Sequence, residues 1–359
     1  MDINILTMHR VYNYGSFLQA YALKRTVETF GHKVTFIDPE PGFKTCKPTV
    51  TPKNKHIDKY CINRLIFKQK EKKFERMYTD SLRRYLNVTN QLVFDKPADL
   101  TIIGSDEVFN FNPSNPWGIS PNFFGGLHNS REVISYAASC GYSTIDDLSI
   151  EWKQKIRLYL SNLNNISVRD QNTFEFVADI TDKKVTINLD PVLIYDFQND
   201  VHYKEHSSLI DKDRYMIIYS YRNRISDENE ISAIKKFAKT HNLKTICLGS
   251  FQYWADDYVI VDPFEALHYF DNAEYVVTDT FHGTVISSIF HKKFAVIIRD
   301  SNRNKLEDLV KRLNLSEHVA SNVEMIGNRL EYCDDYKKFD SIIMENRNKT
   351  NDYLSYAGL

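Results

Sequence analysis

The 359-residue chain has little of what marks a specialised, non-globular architecture. Its 12 glycines and 10 prolines are too few for a collagen-like, low-complexity or extensively disordered protein. Its five cysteines (Cys46, Cys61, Cys140, Cys247 and Cys333) are odd in number, far apart and never arranged as C-x-x-C. That argues against a disulfide framework or a cysteine zinc site, and fits a reducing cytoplasm. Nowhere do eighteen apolar residues run together, as a membrane-crossing helix requires. The opening MDINILTMHRVYNYGS has an acidic second residue and only a short apolar run, so it reads as a β-strand rather than a signal peptide. An excess of one charge is also missing. Lys+Arg 46 against Asp+Glu 47 leaves a net charge of −1, so no global positive field is available to hold nucleic acid. The loop after the first strand is not G-x-G-x-x-G, and no G-x-x-x-x-G-K-[ST] occurs, which argues against dinucleotide and P-loop sites. His202 and His206 have i, i+4 spacing, but no nearby pattern completes a zinc set, so both read as surface residues and no metal is expected.

What is present is alternation. At roughly 150 residues per domain the length predicts two domains, each able to bury its own core. From Asn4 to Asp38 an apolar run (Ile5 to Met8) leads through a loop into an amphipathic segment with Ala20, Leu23, Val27 and Phe30 on one face. Gly31 stands where a C-terminal cap is expected, and Val34 to Ile37 resumes the strand pattern, giving a βαβ unit. Short apolar runs follow at Leu100 to Ile103, Val133 to Ala138, Ile166 to Val168 and Thr186 to Leu189, most ending in small or charged residues. A second series starts near Arg214: MIIYSY, a helical stretch Glu228 to Thr240, TICLG, YVIVD, a helix about Phe264 to Asn272, EYVVTD, another helix and FAVIIRD. The expected architecture is α/β, with two doubly wound, Rossmann-like domains (1–200 and 201–330) facing a cleft. The last helical stretch, within 331–359, is expected to pack back toward the first domain.

Charge is segregated within the first domain, in a basic helical insertion at about 44–95. Lys44 to Arg84 carry thirteen Lys/Arg against four Asp/Glu. NRLIFKQKEKKFERMYTDSLRRYL mixes these with apolar residues at helical spacing. Two readings stand: a solvated helix packed on the first domain, or a segment that lies on an anionic membrane surface.

Several strand ends carry chemistry. In TDTFHGTVISSIF, Asp279-Thr280-Phe281 lead into His282-Gly283-Thr284, which opens a helix. A helix start presents unpaired N–H groups to a phosphate or carboxylate, Gly283 permits close approach, and His282 becomes a candidate general acid. The loop holding Asn13, Tyr14 and Gly15 sets a second helix start toward a sheet's carboxyl edge. IIGSDEVFN presents Ser105 and Asp106, the latter suited to orient or deprotonate a sugar hydroxyl. ISVRD places Arg169 at a strand end, where a guanidinium binds carboxylate or phosphate bidentately. Arg303 and Lys305 open a helix after the strand Phe294 to Ile298. Each has a plainer structural reading, as a cap, a connecting loop or a salt bridge. Together Arg169, His282, Lys305 and a helix start describe a site for a small, multiply anionic ligand.

In order and spacing, ILTMHRVYNYGSFLQAYAL, IIGSDEVFN, ISYAAS, SVRD, LDPVLI, VVTDTFHGTVISSIF and NRNKLEDLVKRLNL resemble the polysaccharide pyruvyl transferases from about Ile3 to Leu315. The resemblance implies a GT-B-like fold. It implies transfer of an enolpyruvyl-derived group from phosphoenolpyruvate, as substrate and with no cofactor, to a sugar of a cell-surface polysaccharide or its polyprenyl-linked precursor, forming a pyruvate ketal. On matching positions it implies donor binding by Arg169, His282 and Lys305, or Arg303 in place of Lys305. The strand ends and helix starts add Gly283 and Thr284 as donor-binding candidates, Asp106 beside His282, Arg169 and Lys305 as a catalytic one, and Asn13, Tyr14, Gly15, Ser105, Asp106 and Asp279 as acceptor contacts. The chain departs from the family pattern at Glu107, Phe109 and Thr280, where glutamine, tryptophan and serine are frequent. A GT-B nucleotide-sugar glycosyltransferase and a non-catalytic glycan-binding protein are the alternatives. A cytoplasmic protein is the expected setting, with a peripheral position at the inner face of the membrane as the alternative that the basic segment leaves open.

Overall fold

The computed structural model describes residues 1–42, 61–112, 118–206 and 214–359. Lys44 to Tyr60 of the basic segment therefore lie outside the described residues, as does Cys46. The first lobe is built on strands β1 (Asp2–Leu6), β2 (Lys33–Ile37), β3 (Ala98–Ile103) and β4 (Ser130–Ser135), all parallel in the order β2-β1-β3-β4. A further parallel pair, β5 (Ile166–Val168) and β6 (Val185–Ile187), adjoins β4 and the segment after it through isolated bridges of Asn165 to Ile134 and Val168 to Ala138. Helices α1 (Tyr14–Thr29), α2 (Cys61–Leu86), α3 (Ile150–Leu160), α4 (Gln171–Ile180) and α5 (Pro191–Ile194) complete this lobe. The chain crosses between α5 and α6 (Val201–Glu205). The second lobe carries β7 (Tyr215–Tyr219), β8 (Lys244–Leu248), β9 (Asp257–Val259), β10 (Tyr275–Thr278) and β11 (Lys293–Val296), parallel in the order β11-β10-β7-β8-β9. Its helices are α7 (Glu228–Thr240), α8 (Pro263–Asn272), α9 (Phe281–Ile289), α10 (Arg303–Arg312) and α11 (Met325–Glu331).

Near-continuous apolar strands are what a parallel sheet covered on both faces needs. Tyr215 to Tyr219 are buried throughout, as are Ile102, Ile103 and Ile5. β1 ends at Leu6, two residues before the apolar run does. Thr7 instead turns away and donates its hydroxyl to the carbonyl of Ser105, 3.0 Å away, which fixes the loop that feeds α1. That helix starts where the Asn13 side chain accepts from the Gly15 N–H at 2.7 Å, and it ends beside Gly31 at φ +80°.

In α2, Phe74, Tyr78, Leu82 and Tyr85 recur at helical spacing and are buried against α1, with Tyr14–Phe74 and Phe17–Tyr78 rings edge-on. Lys68, Lys72, Lys73, Arg76 and Arg83 face solvent. Over residues 68–86, then, the apolar stripe is occupied by the protein's own core. No apolar face is left there to enter lipid, and what remains outside is charge. The same helix also grips the second lobe, since Lys70 donates to the Tyr258 carbonyl and Tyr85 to Asp262.

Helix α12 (Lys337–Tyr356) returns to the first lobe, where Tyr353 donates to the Ser135 carbonyl, Thr350 bonds Tyr136, and Arg347 donates to the Ile194 carbonyl. The molecule is thus two Rossmann-like α/β lobes facing a cleft. In the first sheet the chain leaves β1 toward β2 on one side and has β3 on the other. In the second, β7 has β8 on one side and β10 on the other. Each sheet therefore opens a crevice at its carboxyl edge, at β1/β3 and β7/β10, where open α/β sheets bind ligands. Among the described residues no helix is long and apolar enough to cross a membrane.

Candidate active site

The two crevices meet in one cavity of about 350 Å³, its mouth included. The first lobe lines it with Asn13, Ser16, Asp106, Glu107 and Arg169, and the second with Tyr219, Tyr221, Thr280, Phe281, His282 and Lys305. Every one of these lies at or just beyond the carboxyl end of a strand, or on the helix that follows it.

His282 is placed from both sides. Thr280, extended at φ −122°, caps α9 by accepting from the Gly283 N–H at 2.9 Å, so the next two residues turn into the cavity. The imidazole lies directly on Gly15 of the opposite lobe: a Cβ there would stand 2.2 Å from Nδ1. Its Nε2 is 3.5 Å from Oδ2 of Asp190, the residue that follows β6 by three and caps α5 through the Val192 N–H at 3.0 Å. The same oxygen accepts from Arg169 Nη1 at 2.8 Å and Ser105 Oγ at 3.2 Å. Burial pushes the Asp190 carboxyl up, but His282, Arg169 and the Val192 N–H outweigh it and hold the group well below the usual carboxylate range. Arg169 is buried with its guanidinium 4.1 Å above the Phe281 ring. Of the side chains lining the cavity, Arg169 carries a buried N–H, Nε, with no hydrogen-bond partner among the described residues, and His282 Nε2 has only the long approach to Asp190. Buried polar atoms are nearly always paired, so these under-used nitrogens mark the cavity as a place for a ligand.

Lys305, on the first turn of α10, crosses the cleft to Glu107, with Nζ 2.5 Å from Oε1. Burial would raise the Glu107 carboxyl, yet Lys305, Asn110 and Arg169 bring it down to about 2. Burial would likewise lower the Lys305 ammonium, and Glu107 and Tyr221 outweigh it and raise it. Asp106, at φ +72°, accepts from Ser16 Oγ at 2.7 Å and from the Glu107 N–H at 2.9 Å.

Of the residues singled out in the sequence, His282, Arg169, Lys305, Asp106 and Asn13 come together in this cavity, with Gly15 directly beneath the imidazole. The others do not reach it. Gly283 faces back into its own lobe, where a Cβ would meet Thr278 Oγ1 at 2.0 Å, so its missing side chain serves helix-on-strand packing rather than a ligand. Thr284 is fully buried and bonds the Thr280 carbonyl. Tyr14 donates to the Val261 carbonyl and ties the lobes together. Ser105 supports Asp190 from behind. Asp279 is wholly buried against Arg224 and Arg299, each 3.3 Å away. Arg303 is exposed and paired with Asp300 and Glu307. His206 is not a surface residue: it is buried against Asp262 at 3.0 Å. Its potential co-ligands Asp262 and Glu265 already cap α8. The positive groups expected to receive an anion are themselves paired, Lys305 with Glu107 and Arg169 with Asp190. Asp190 does not stand out in the sequence, and Glu107 does so only as a departure from the family pattern. The available signals were the acidic residue following Asp106 and the strand-ending LDP.

The description polysaccharide pyruvyl transferase matches residues 13–301. Among curated proteins no sequence relative matches. The fold is similar to UDP-GlcNAc 2-epimerase from Neisseria meningitidis bound to UDP-GlcNAc, at 10% identity over 99% of this chain and 100% of that one, TM-score 0.51. The Methanocaldococcus jannaschii UDP-GlcNAc 2-epimerase in complex with UDP-GlcNAc and UDP is similar at 10% identity, 99% and 100% coverage and TM-score 0.50. A mutant O-GlcNAc transferase from Thermobaculum terrenum aligns at 9% identity and TM-score 0.45, over 99% of this chain, which spans only 66% of that longer one. At such identities the likeness concerns the fold, a GT-B-like pairing of two lobes.

Proposed function

The chain belongs to the polysaccharide pyruvyl transferase family, and on that premise we propose that it transfers an enolpyruvyl-derived group from phosphoenolpyruvate to a pair of sugar hydroxyls, forming a pyruvate ketal. The observation that carries this reading is the buried Arg169 Nε, which has no hydrogen-bond partner among the described residues, in a cavity that also holds His282 and Lys305. A three-carbon phosphorylated acid supplies acceptor atoms to that N–H and to the imidazole and ammonium beside it. In this reading Arg169 and Lys305 hold the carboxylate and phosphate, and His282 protonates the methylene carbon, which becomes a methyl group. C2 turns cationic, and the fixed charges around it lower the barrier. An acceptor hydroxyl adds to C2 as Asp106 takes its proton. The bond from C2 to the phosphate oxygen then breaks, and the neighbouring hydroxyl closes the ring. Of the two hydroxyl protons, one restores His282 and the other leaves with inorganic phosphate, so no further reactant is needed.

A polyprenyl-linked acceptor would bring the chain to an anionic membrane surface, to which the exposed basic face of α2 offers charge. The test is phosphate release from phosphoenolpyruvate across a panel of free and lipid-linked sugars. The expected result is release that requires both substrates. Protection of the protein by nucleotide-sugars, with none by phosphoenolpyruvate, would replace the reading with nucleotide-sugar transfer.

A further inference from the structure

We infer that Glu107 is a built-in competitor for the anion-binding lysine: an anionic ligand enters the cavity by taking Lys305 from the Glu107 carboxylate, and Glu107 takes up a proton as it is released. The inference rests on the reading of the cavity as an anion site and adds how that site is regulated. The pair spans the cleft, with Glu107 just beyond β3 of one lobe and Lys305 on α10 of the other. It is largely withdrawn from water, at 23% and 11% side-chain exposure.

The two partners are unequally held. Glu107 Oε2 accepts from Asn110 Nδ2 at 2.8 Å, and the carboxylate rests on Gly141, where a Cβ would come within 2.7 Å of that oxygen. The carboxylate is thus seated against its own lobe, whereas Lys305 ends a flexible four-carbon stem with rotatable donors. An arriving anion therefore draws the lysine away and leaves the carboxylate where it is.

Facing Glu107 are Lys305 and Arg169 as cations, Asp106 as its neighbouring anion, and Tyr221 and the buried Cys140 thiol. While Lys305 is bound, the carboxyl is held at about 2 and is fully ionised near neutrality. Once Lys305 is neutralised by a bound dianion, burial and the new negative charge both act to raise the carboxyl, with only Arg169 and Asn110 opposing them. Entry of the anion is thereby linked to proton uptake, and affinity falls as pH rises.

The test is calorimetric titration of the full chain with sulfate, a dianion that does not itself titrate near neutrality, and with phosphoenolpyruvate. Each titration is run in two buffers of different ionisation enthalpy. The wild type is expected to take up a proton on binding sulfate. E107Q is expected to lose that uptake and to bind sulfate more tightly, by a factor within the roughly 5- to 150-fold range of typical couplings. H282Q and D106N remove the other cavity-lining side chains able to gain a proton, and both are expected to keep the uptake. The inference is overturned if the wild type binds without proton uptake, if E107Q binds no more tightly, if the uptake follows His282 or Asp106 instead, or if no anion binds. Should E107Q fail to fold, the wild-type, H282Q and D106N uptakes decide alone. Sulfate binding with the expected linkage but no phosphoenolpyruvate binding would keep the exchange and remove the donor reading.

Discussion

Replacing Gly15 with alanine tests the placement of the imidazole without touching a charge. Gly15 is the second residue of α1 and is not among the positive-φ glycines, so the backbone accepts alanine, a better helix former by up to about 1 kcal/mol. On local grounds alone the variant should gain stability. The opposite is expected, because the new Cβ would lie 2.2 Å from His282 Nδ1, 2.3 Å from Cγ and 2.7 Å from Cβ. Ordinary contact begins at 3.4 Å, so the ring must retreat by 3.4 − 2.2 = 1.2 Å. The 2.7 Å approach to the His282 Cβ means that rotating the side chain is not enough, and α9 or the lobe interface must also give. Overpacking of this kind typically costs about 1–3 kcal/mol, more than the helix gains. Displacing a catalytic group by about 1 Å costs on the order of 100-fold in rate. Denaturant unfolding of wild type, G15A, H282A and the double variant measures the coupling without needing an acceptor. A coupling of about 1 kcal/mol or more is expected, since alanine at 282 removes the ring that G15A strikes. Strict additivity, or a G15A protein as active as wild type and more stable, would refute the reasoning.

Asp190→Asn keeps an N-cap for α5 but leaves Arg169 buried without its counter-charge, a loss of about 3–5 kcal/mol. Because the folded carboxyl sits below its ordinary value, the stabilisation is complete above roughly pH 4 and is lost only on further acidification. Wild type and D190N should therefore converge in stability only in acid, and a gap that closes between pH 8 and 6 would contradict the assignment. Lys305→Ala is expected to weaken donor use strongly. Arg303→Ala, which breaks only exposed pairs worth about 0–1 kcal/mol, should leave phosphate release within twofold. Equal losses in the two would show that the lysine has no special place. His282→Ala should lose about 100- to 10,000-fold in turnover while keeping the wild-type circular dichroism spectrum; full activity would remove the imidazole from the chemistry.

The alternation of strand and helix was legible because parallel strands buried on both faces must be apolar along their whole length, as in MIIYSY and EYVVTD. Arg169, His282 and Asp106 were legible for a related reason: each is a charged or titratable residue placed where such a run stops. What stayed hidden depends on pairing across the cleft. Nothing local in LDPVLI says that Asp190 reaches His282 from the other lobe, or in GSDEVF that Glu107 meets Lys305, 198 positions later. Glycine is ambiguous in both directions for the same reason. Gly283 reads as a ligand approach, yet it fits Thr278 and Tyr219. Gly15 reads as a loop residue, yet it makes room for an imidazole from the second half. The amphipathic pattern of α2 was also ambiguous, since an apolar stripe is the same whether membrane or protein covers it.

The chain passes between its halves twice, once between α5 and α6 and once on the way to α12. The halves are held as well by Lys70 on the Tyr258 carbonyl, Tyr85 on Asp262 and Tyr14 on the Val261 carbonyl. Asp190–His282 and Glu107–Lys305 both lie across the same gap, so any change in the spacing of the halves acts on both pairs at once.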